Sequence, residues 1–200
     1  TFIDAVRSTG GKNAFRTLIV QGPSTDIEKT NKLMTVLPTD KTANRMMAEV
    51  HYYSPWNFGG LTKDETWGKM FYYWGAGYHS ATDTERNATW GEEADLEKNF
   101  KLMKTQFVDK GIPVVLGEFG AIRRTTLTGD ALTLHLASRA YYLKTVVKQA
   151  KANITHYVKA SGKTEEQIKA AFSVVISSFA DLVKAASNLL TDTINKKSPL

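Results

Sequence analysis

The sequence predicts an α/β fold: parallel strands joined by helices, as a sheet or part of a barrel, followed by one long amphipathic helix. Three observations carry that reading. Short apolar runs alternate with helix-period runs through residues 1–153 with short joins, the order that parallel sheets impose. The most apolar run, IPVVLGEF at 112–119, shows no alternation, as expected of a strand covered on both faces. Beyond residue 153 the strand–helix order stops, and apolar residues keep helical spacing over about eight turns, ~45 Å of helix.

Each element has its own local signal. TFIDAVRST at 1–9 reads as the back half of a helix stopped by Gly10-Gly11. It is too short and too charged for the apolar core of a signal peptide, and the chain reads as starting partway through a larger unit. RTLIVQ at 16–21 is a short strand closed by Gly22-Pro23. Ser24, Thr25 and Asp26 offer a helix cap, with Ile27, Leu33 and Val36 as the apolar positions of a helix to residue 37. RMMAEVHYY at 45–53 is the second strand, stopped by Ser54-Pro55. Residues 54–92 form a long polar and aromatic connection holding Trp56, Trp67, Trp74 and Trp90; such length marks a functional or a disordered loop.

Leu96, Phe100, Met103 and Phe107 then fall on one helical face, and Gly111 can end that helix. The third strand follows at 112–119. Residues 130–153 read as a helix with Leu134, Tyr141 and Val146 among its buried candidates. ITHYVK, from 154, offers a few strand-like residues where a further strand is due. The capping box TEEQ at 164–167 opens the long helix, whose stripe includes Phe172, Val175, Phe179 and Leu182. Two segments are thus expected, 1–153 and 154–200, the second foreign or designed in character. A helix of that length can shield an open sheet face, or pair with a second copy as a homodimer through 164–195, or lie solvated on its own domain.

Composition narrows the function classes. Apolar content of 42% and charged content of 23% are those of a globular chain. The net charge of +6 is spread out; Arg123-Arg124 and Lys196-Lys197 are only pairs, so no nucleic-acid partner is expected. No apolar segment approaches the roughly 20 residues of a membrane span, so no membrane partner is expected either. With no cysteine there is no disulfide and no thiolate chemistry. His51, His79, His135 and His156 lack metal-ligand spacing, and no phosphate-cradling glycine motif occurs, so neither a metal nor a cofactor is expected.

Parallel barrels gather their chemistry at the carboxyl ends of strands, where this chain places Gln21, then His51 and Tyr53, then Glu118. The spacing His51-x-Tyr53 puts both side chains on one strand face. Glu118 stands at the mouth of the most apolar strand, where a charge has no packing task. There Tyr53 can orient the ionised carboxylate, His51 can meet a substrate hydroxyl, and the tryptophans offer flat surfaces suited to sugar rings. Each residue taken singly has a packing counterpart: an ion-paired Glu, a core His-x-Tyr, tryptophans holding down a loop.

In this order, EVHYYSPWNF at 49–58, TWGEEADLEKNFKLMKTQFVDKGIPVVLGEFGA at 89–121 and HLASRAYYLKTVVKQAKAN at 135–153 resemble the endo-β-1,4-glucanases of glycoside hydrolase family 5, of cellulase and xyloglucanase type. The resemblance covers about residues 1–153 and not 154–200. It implies a partial (β/α)8 barrel, with this segment supplying about strands five to seven and their helices. It further implies secreted proteins, β-glucan as substrate without a cofactor, Glu118 as catalytic nucleophile, and His51 and Tyr53 lining the subsite where the bond breaks. Trp56, Trp67, Trp74 and Trp90 are the expected sugar-binding surfaces. The family's proton donor lies in an Asn-Glu pair, and that dipeptide is absent from these 200 residues. The expectation is a fragment or chimera of a retaining endo-β-1,4-glucanase, weak or inactive alone. The alternative is a non-catalytic, engineered half-barrel scaffold or a weak glycan-binding module.

Overall fold

A computed structural model of the chain describes residues 1–160, and the side chains of its last helix as far as residue 153. Thr1 caps helix α1 (Phe2–Ser8) in a reciprocal capping box with Asp4, and Gly10 and Gly11, both at positive φ, carry the chain away. Strand β1 (Leu18–Gln21) follows, then helix α2 (Ile27–Leu33), whose first turn is capped by Asp26 accepting from the Lys29 N–H. Strand β2 (Met46–Tyr52) leads through a cis Ser54-Pro55 bond into the short helix α3 (Trp56–Gly59). Helix α4 (Glu93–Gln106) precedes strand β3 (Val114–Phe119), with left-handed Gly111 between them. Helix α5 runs Gly129–Ala160.

The three strands are parallel in the order β1-β2-β3, so β1–α2–β2 and β2–α4–β3 are two successive βαβ units. The parallel sheet expected from the sequence is present. Central strand β2 alternates cleanly: Ala48, Val50 and Tyr52 are buried, while Glu49 and His51 point to the other face. The buried face meets Leu96, Phe100 and Met103 of α4, Phe107 just after it, and Tyr142 and Val146 of α5, forming one core with Phe58, Phe71 and Trp74. All four positions of the α4 stripe are therefore core, as their spacing predicts.

Several expectations are corrected. Strand β3 is not covered on both faces: it is an outer strand, and Gly117-Glu118-Phe119 are exposed. Leu33 and Val36 are exposed, because α2 stops at Leu33 and its apolar face is made by Ile27, Thr30 and Met34. On α5 the buried stripe runs His135, Ser138, Tyr142, Val146; Leu134 and Tyr141 are only half-buried. Residues 154–160 continue α5 as helix and make no strand. The helix expected from 164, its stripe and the homodimer expected through it lie outside the described residues.

The 54–92 connection is ordered, and Arg124 explains how. This guanidinium is buried, and its nitrogens donate to the carbonyls of Leu61, Asn57 and Phe71 at 2.5, 2.8 and 3.1 Å. The Arg124 backbone N–H donates to His135 Nε2 at 2.9 Å, and His135 Nδ1 lies 2.7 Å from the Tyr72 carbonyl. Tyr72 in turn is flanked by Arg86 and Arg124, 4.9 and 5.4 Å from its ring centre. Cationic side chains thus supply the donors that a loop cannot supply for itself.

Candidate active site

The carboxyl ends of β2 and β3 meet in one polar cluster. In register, Ala48 pairs with Val114 and Val50 with Leu116, but His51 pairs with Glu118: Gly117 is an extra residue, a β-bulge. Its effect is decisive. By strict alternation Glu118 would share the face of Val114 and Leu116 and would pair with buried Tyr52. The inserted glycine rotates it to the opposite face, beside Glu49 and His51.

There the Tyr53 hydroxyl donates to Glu118 Oε2 at 3.1 Å, and His51 Nδ1 lies 3.3 Å from the same oxygen. The other ring nitrogen, Nε2, is 3.0 Å from Glu49 Oε1. Glu118 is 57% exposed, whereas His51 and Glu49 are largely covered, so the Glu118 carboxylate stands in solvent on a largely covered support. The Tyr53 phenol is pushed up, first by burial and then by the hydrogen bond and charge of Glu118, which keeps it a protonated donor.

His51 and Tyr53 also line a cleft of about 620 Å³, with Trp56, Trp90, Asp95, Asn99 and the Ser24-Thr25 turn. Glu118 is not among its lining residues and reaches it through these two side chains. Trp56 stands edge-on to Tyr53 with ring centres 6.3 Å apart, and its six-membered ring lies on Gly60, where a Cβ would come within 2.2 Å. Trp56 thus rests against Gly60 and is half exposed. Trp90 is also exposed in the cleft.

The four tryptophans divide. Trp56 and Trp90 stand where sugar rings can stack, and Trp67 is exposed but lies away from this cleft. Trp74 is a correction: it is 0% exposed, its indole N–H donates to the Gly91 carbonyl at 2.8 Å, and Ser138 brackets its backbone. It is a core residue with no free face. Gln21, another strand-end candidate, does not line the cleft. The residue the sequence reading missed is Glu49, although Glu49-x-His51-x-Tyr53 already shows the period of two that puts all three on one face. Among the described residues no cluster of three or more His, Asp or Glu is placed to hold a metal ion.

A parallel sheet with a carboxylate, an imidazole and a phenol converging at its strand ends beside exposed tryptophans defines a glycoside-hydrolase type of site. Comparison with known proteins makes it specific. Residues 1–166 match the cellulase family model, glycosyl hydrolase family 5, a match that extends past Asn153. The chain belongs to that family. It is 38% identical over 152 residues to a xyloglucan-specific endo-β-1,4-glucanase of Bacteroides ovatus, covering 76% of this chain and 28% of that protein. It is 39% identical over 159 residues to endoglucanase A of Paenibacillus barcinonensis, covering 75% and 37%. Among solved structures, the Bacteroides ovatus xyloglucanase in complex with a XXXG heptasaccharide superposes with a TM-score of 0.67 at 35% identity, over 76% of this chain and 31% of that one. A xyloglucan-specific β-1,4-glucanase from a ruminal metagenomic library, in complex with XXLG, gives 0.66 at 45% identity, over 76% and 38%. The chain thus spans about a third of the length of these relatives.

Proposed function

We propose that this site serves retaining hydrolysis of internal β-1,4 links in glucan or xyloglucan chains, with Glu118 as nucleophile. One observation carries the reading: the Tyr53 hydroxyl donates to Oε2 of Glu118 at 3.1 Å, with His51 Nδ1 3.3 Å from the same oxygen, and Oε1 has no hydrogen bond among the described residues, which leaves it to attack. In the first step Oε1 bonds to the anomeric carbon and the glycosidic C–O bond breaks, the leaving oxygen taking a proton from a second carboxyl group. In the second step water attacks the same carbon, its proton returns to that carboxylate, and Glu118 is released as the free anion. Tyr53 orients the nucleophile throughout, His51 contacts the reacting sugar's surroundings, and Trp56 and Trp90 seat sugar rings.

The second carboxyl group is the missing piece. No Asn-Glu pair occurs in these 200 residues, and Glu49 is engaged with His51. Loss of a general acid costs a factor of ~10²–10⁴. On this reading the chain alone is a weak hydrolase at most, acting outside the cell where polymeric glucan is found. The second reading, a glycan-binding module, rests on the exposure of Trp56 and Trp90 in the cleft.

An aryl cellobioside with a good leaving group decides between them, because its departure needs little protonation. Slow release of the phenol by the chain, abolished in Glu118→Gln, is the expected result. Equal signals from both proteins would refute the catalytic reading and favour the binding one.

A further inference from the structure

The hydrolytic reading leaves one charged group of the cluster without a task. Glu49 Oε1 lies 3.0 Å from His51 Nε2, while Nδ1 of the same ring faces Glu118 Oε2 at 3.3 Å. An imidazole engaged at both nitrogens can neither flip nor swing, so the carboxylate behind it decides how its front edge meets the nucleophile.

A steric observation points to the same pair. At Gly117 an added Cβ would stand 2.1 Å from Glu49 Oε1 and 3.0 Å from His51 Nε2. The residue at which the strand bulges, bringing Glu118 to the Glu49/His51 face, also leaves the space through which Glu49 reaches the ring. Bulge, carboxylate and imidazole form one arrangement.

We infer that Glu49 is the positioning residue of this site: it accepts the Nε2 proton of His51, fixes the ring and its tautomer, and thereby leaves Nδ1 without a proton, so that Tyr53 is the donor that holds Oε2 of Glu118. The inference rests on the hydrolytic reading only for its consequence in catalysis. A neutral imidazole carries one ring proton, and here two carboxylates compete for it. Glu118 already receives the Tyr53 hydroxyl, and its approach to the ring is the longer one. Glu49 makes the hydrogen bond of the two, so it holds the proton on Nε2. With the ring proton committed to Glu49, Oε2 is held by the Tyr53 hydroxyl and Oε1 stays the attacking oxygen.

The test uses the chain with ¹⁵N-labelled histidine and long-range proton–nitrogen correlation at pH 9, with His51 assigned through a His51→Asn control. The wild-type His51 is expected as the Nε2–H tautomer. Glu49→Gln should lower the ratio of Nε2–H to Nδ1–H by about tenfold or more, the loss of a charge-assisted hydrogen bond. Gly117→Ala should do the same while leaving every charge in place. His135, donating from Nδ1 to Tyr72 and accepting at Nε2 from Arg124, reports in the same spectrum that the fold is intact. An unchanged His51 tautomer in both variants overturns the inference. In the aryl cellobioside assay Glu49→Gln should reduce kcat about tenfold with KM nearly unchanged. A wild-type chain that releases no phenol but shows the tautomer response would sink the hydrolase reading and keep Glu49 as the ring's anchor.

Discussion

Replacing Arg124 by lysine tests whether a buried cation holds the loop that carries the exposed tryptophans Trp56, Trp67 and Trp90. The guanidinium spans three carbonyls, of Leu61, Asn57 and Phe71, from two nitrogens set in a rigid fork. A lysine ammonium keeps the charge but concentrates its donors at one point, so two of the three carbonyls lose their partner. Each buried carbonyl left unpaired costs ~1–3 kcal/mol, which places the loss near ~3 kcal/mol. In a chain of this size that corresponds to a fall of about 6–12 °C in Tm. Thermal melting followed by circular dichroism measures it, and limited proteolysis should show earlier cleavage within residues 60–92. A melt within about 2 °C of the wild type would show that charge alone suffices and that the fork geometry is irrelevant.

Three further outcomes are expected. Trp74→Ala should destabilise the fold by ~3–5 kcal/mol in a melt, whereas Trp56→Ala should leave the melt unchanged and weaken oligosaccharide binding roughly tenfold by calorimetry; the reverse pattern would contradict the division between core and cleft. Tyr53→Phe should slow aryl cellobioside release about tenfold through loss of one bond to a carboxylate, with Tm unmoved; full activity would detach the phenol from Glu118. Asp40, held at about 2 by the Arg7 guanidinium and the Thr42 N–H, and Asp64, held at about 2 by Arg86 and the Met70 N–H, have carboxyls depressed by the fold. Their stabilisation is complete above the ordinary carboxylate range and is lost as pH falls from about 4 toward 2, so Asp40→Asn should flatten that limb of Tm against pH. His135, lowered from 6.5 by burial, adds stability present above that value and lost as pH falls below it.

Much of this was legible in the residues because periodicity reports burial directly. The α4 stripe, the three strands and the meeting of His51, Tyr53 and Glu118 follow from spacing and strand-end chemistry. What escaped depends on partners distant in the chain. His135 and Ser138 are polar, so no apolar pattern marks them as core, yet each satisfies backbone groups more than 60 residues away. Trp74 and Trp56 are chemically alike; only the helix packed over the first and the glycine beneath the second separate them. Glu49 reads as an ordinary strand carboxylate until the bulge brings Gly117 alongside. The exposure of β3 is a matter of which strand stands outermost, which its own composition does not encode.

The single extra residue at Gly117 divides β3 into two stretches with separate duties. Below it, Val114 and Leu116 answer to the hydrophobic interior; above it, Glu118 joins the polar cluster of His51 and Tyr53. Mutations that remodel the interior can therefore accumulate without re-aiming the acid. Straightening that bulge, so that Gly117 took a regular place opposite His51, would drive a carboxylate under the helices and turn Phe119 to the other face.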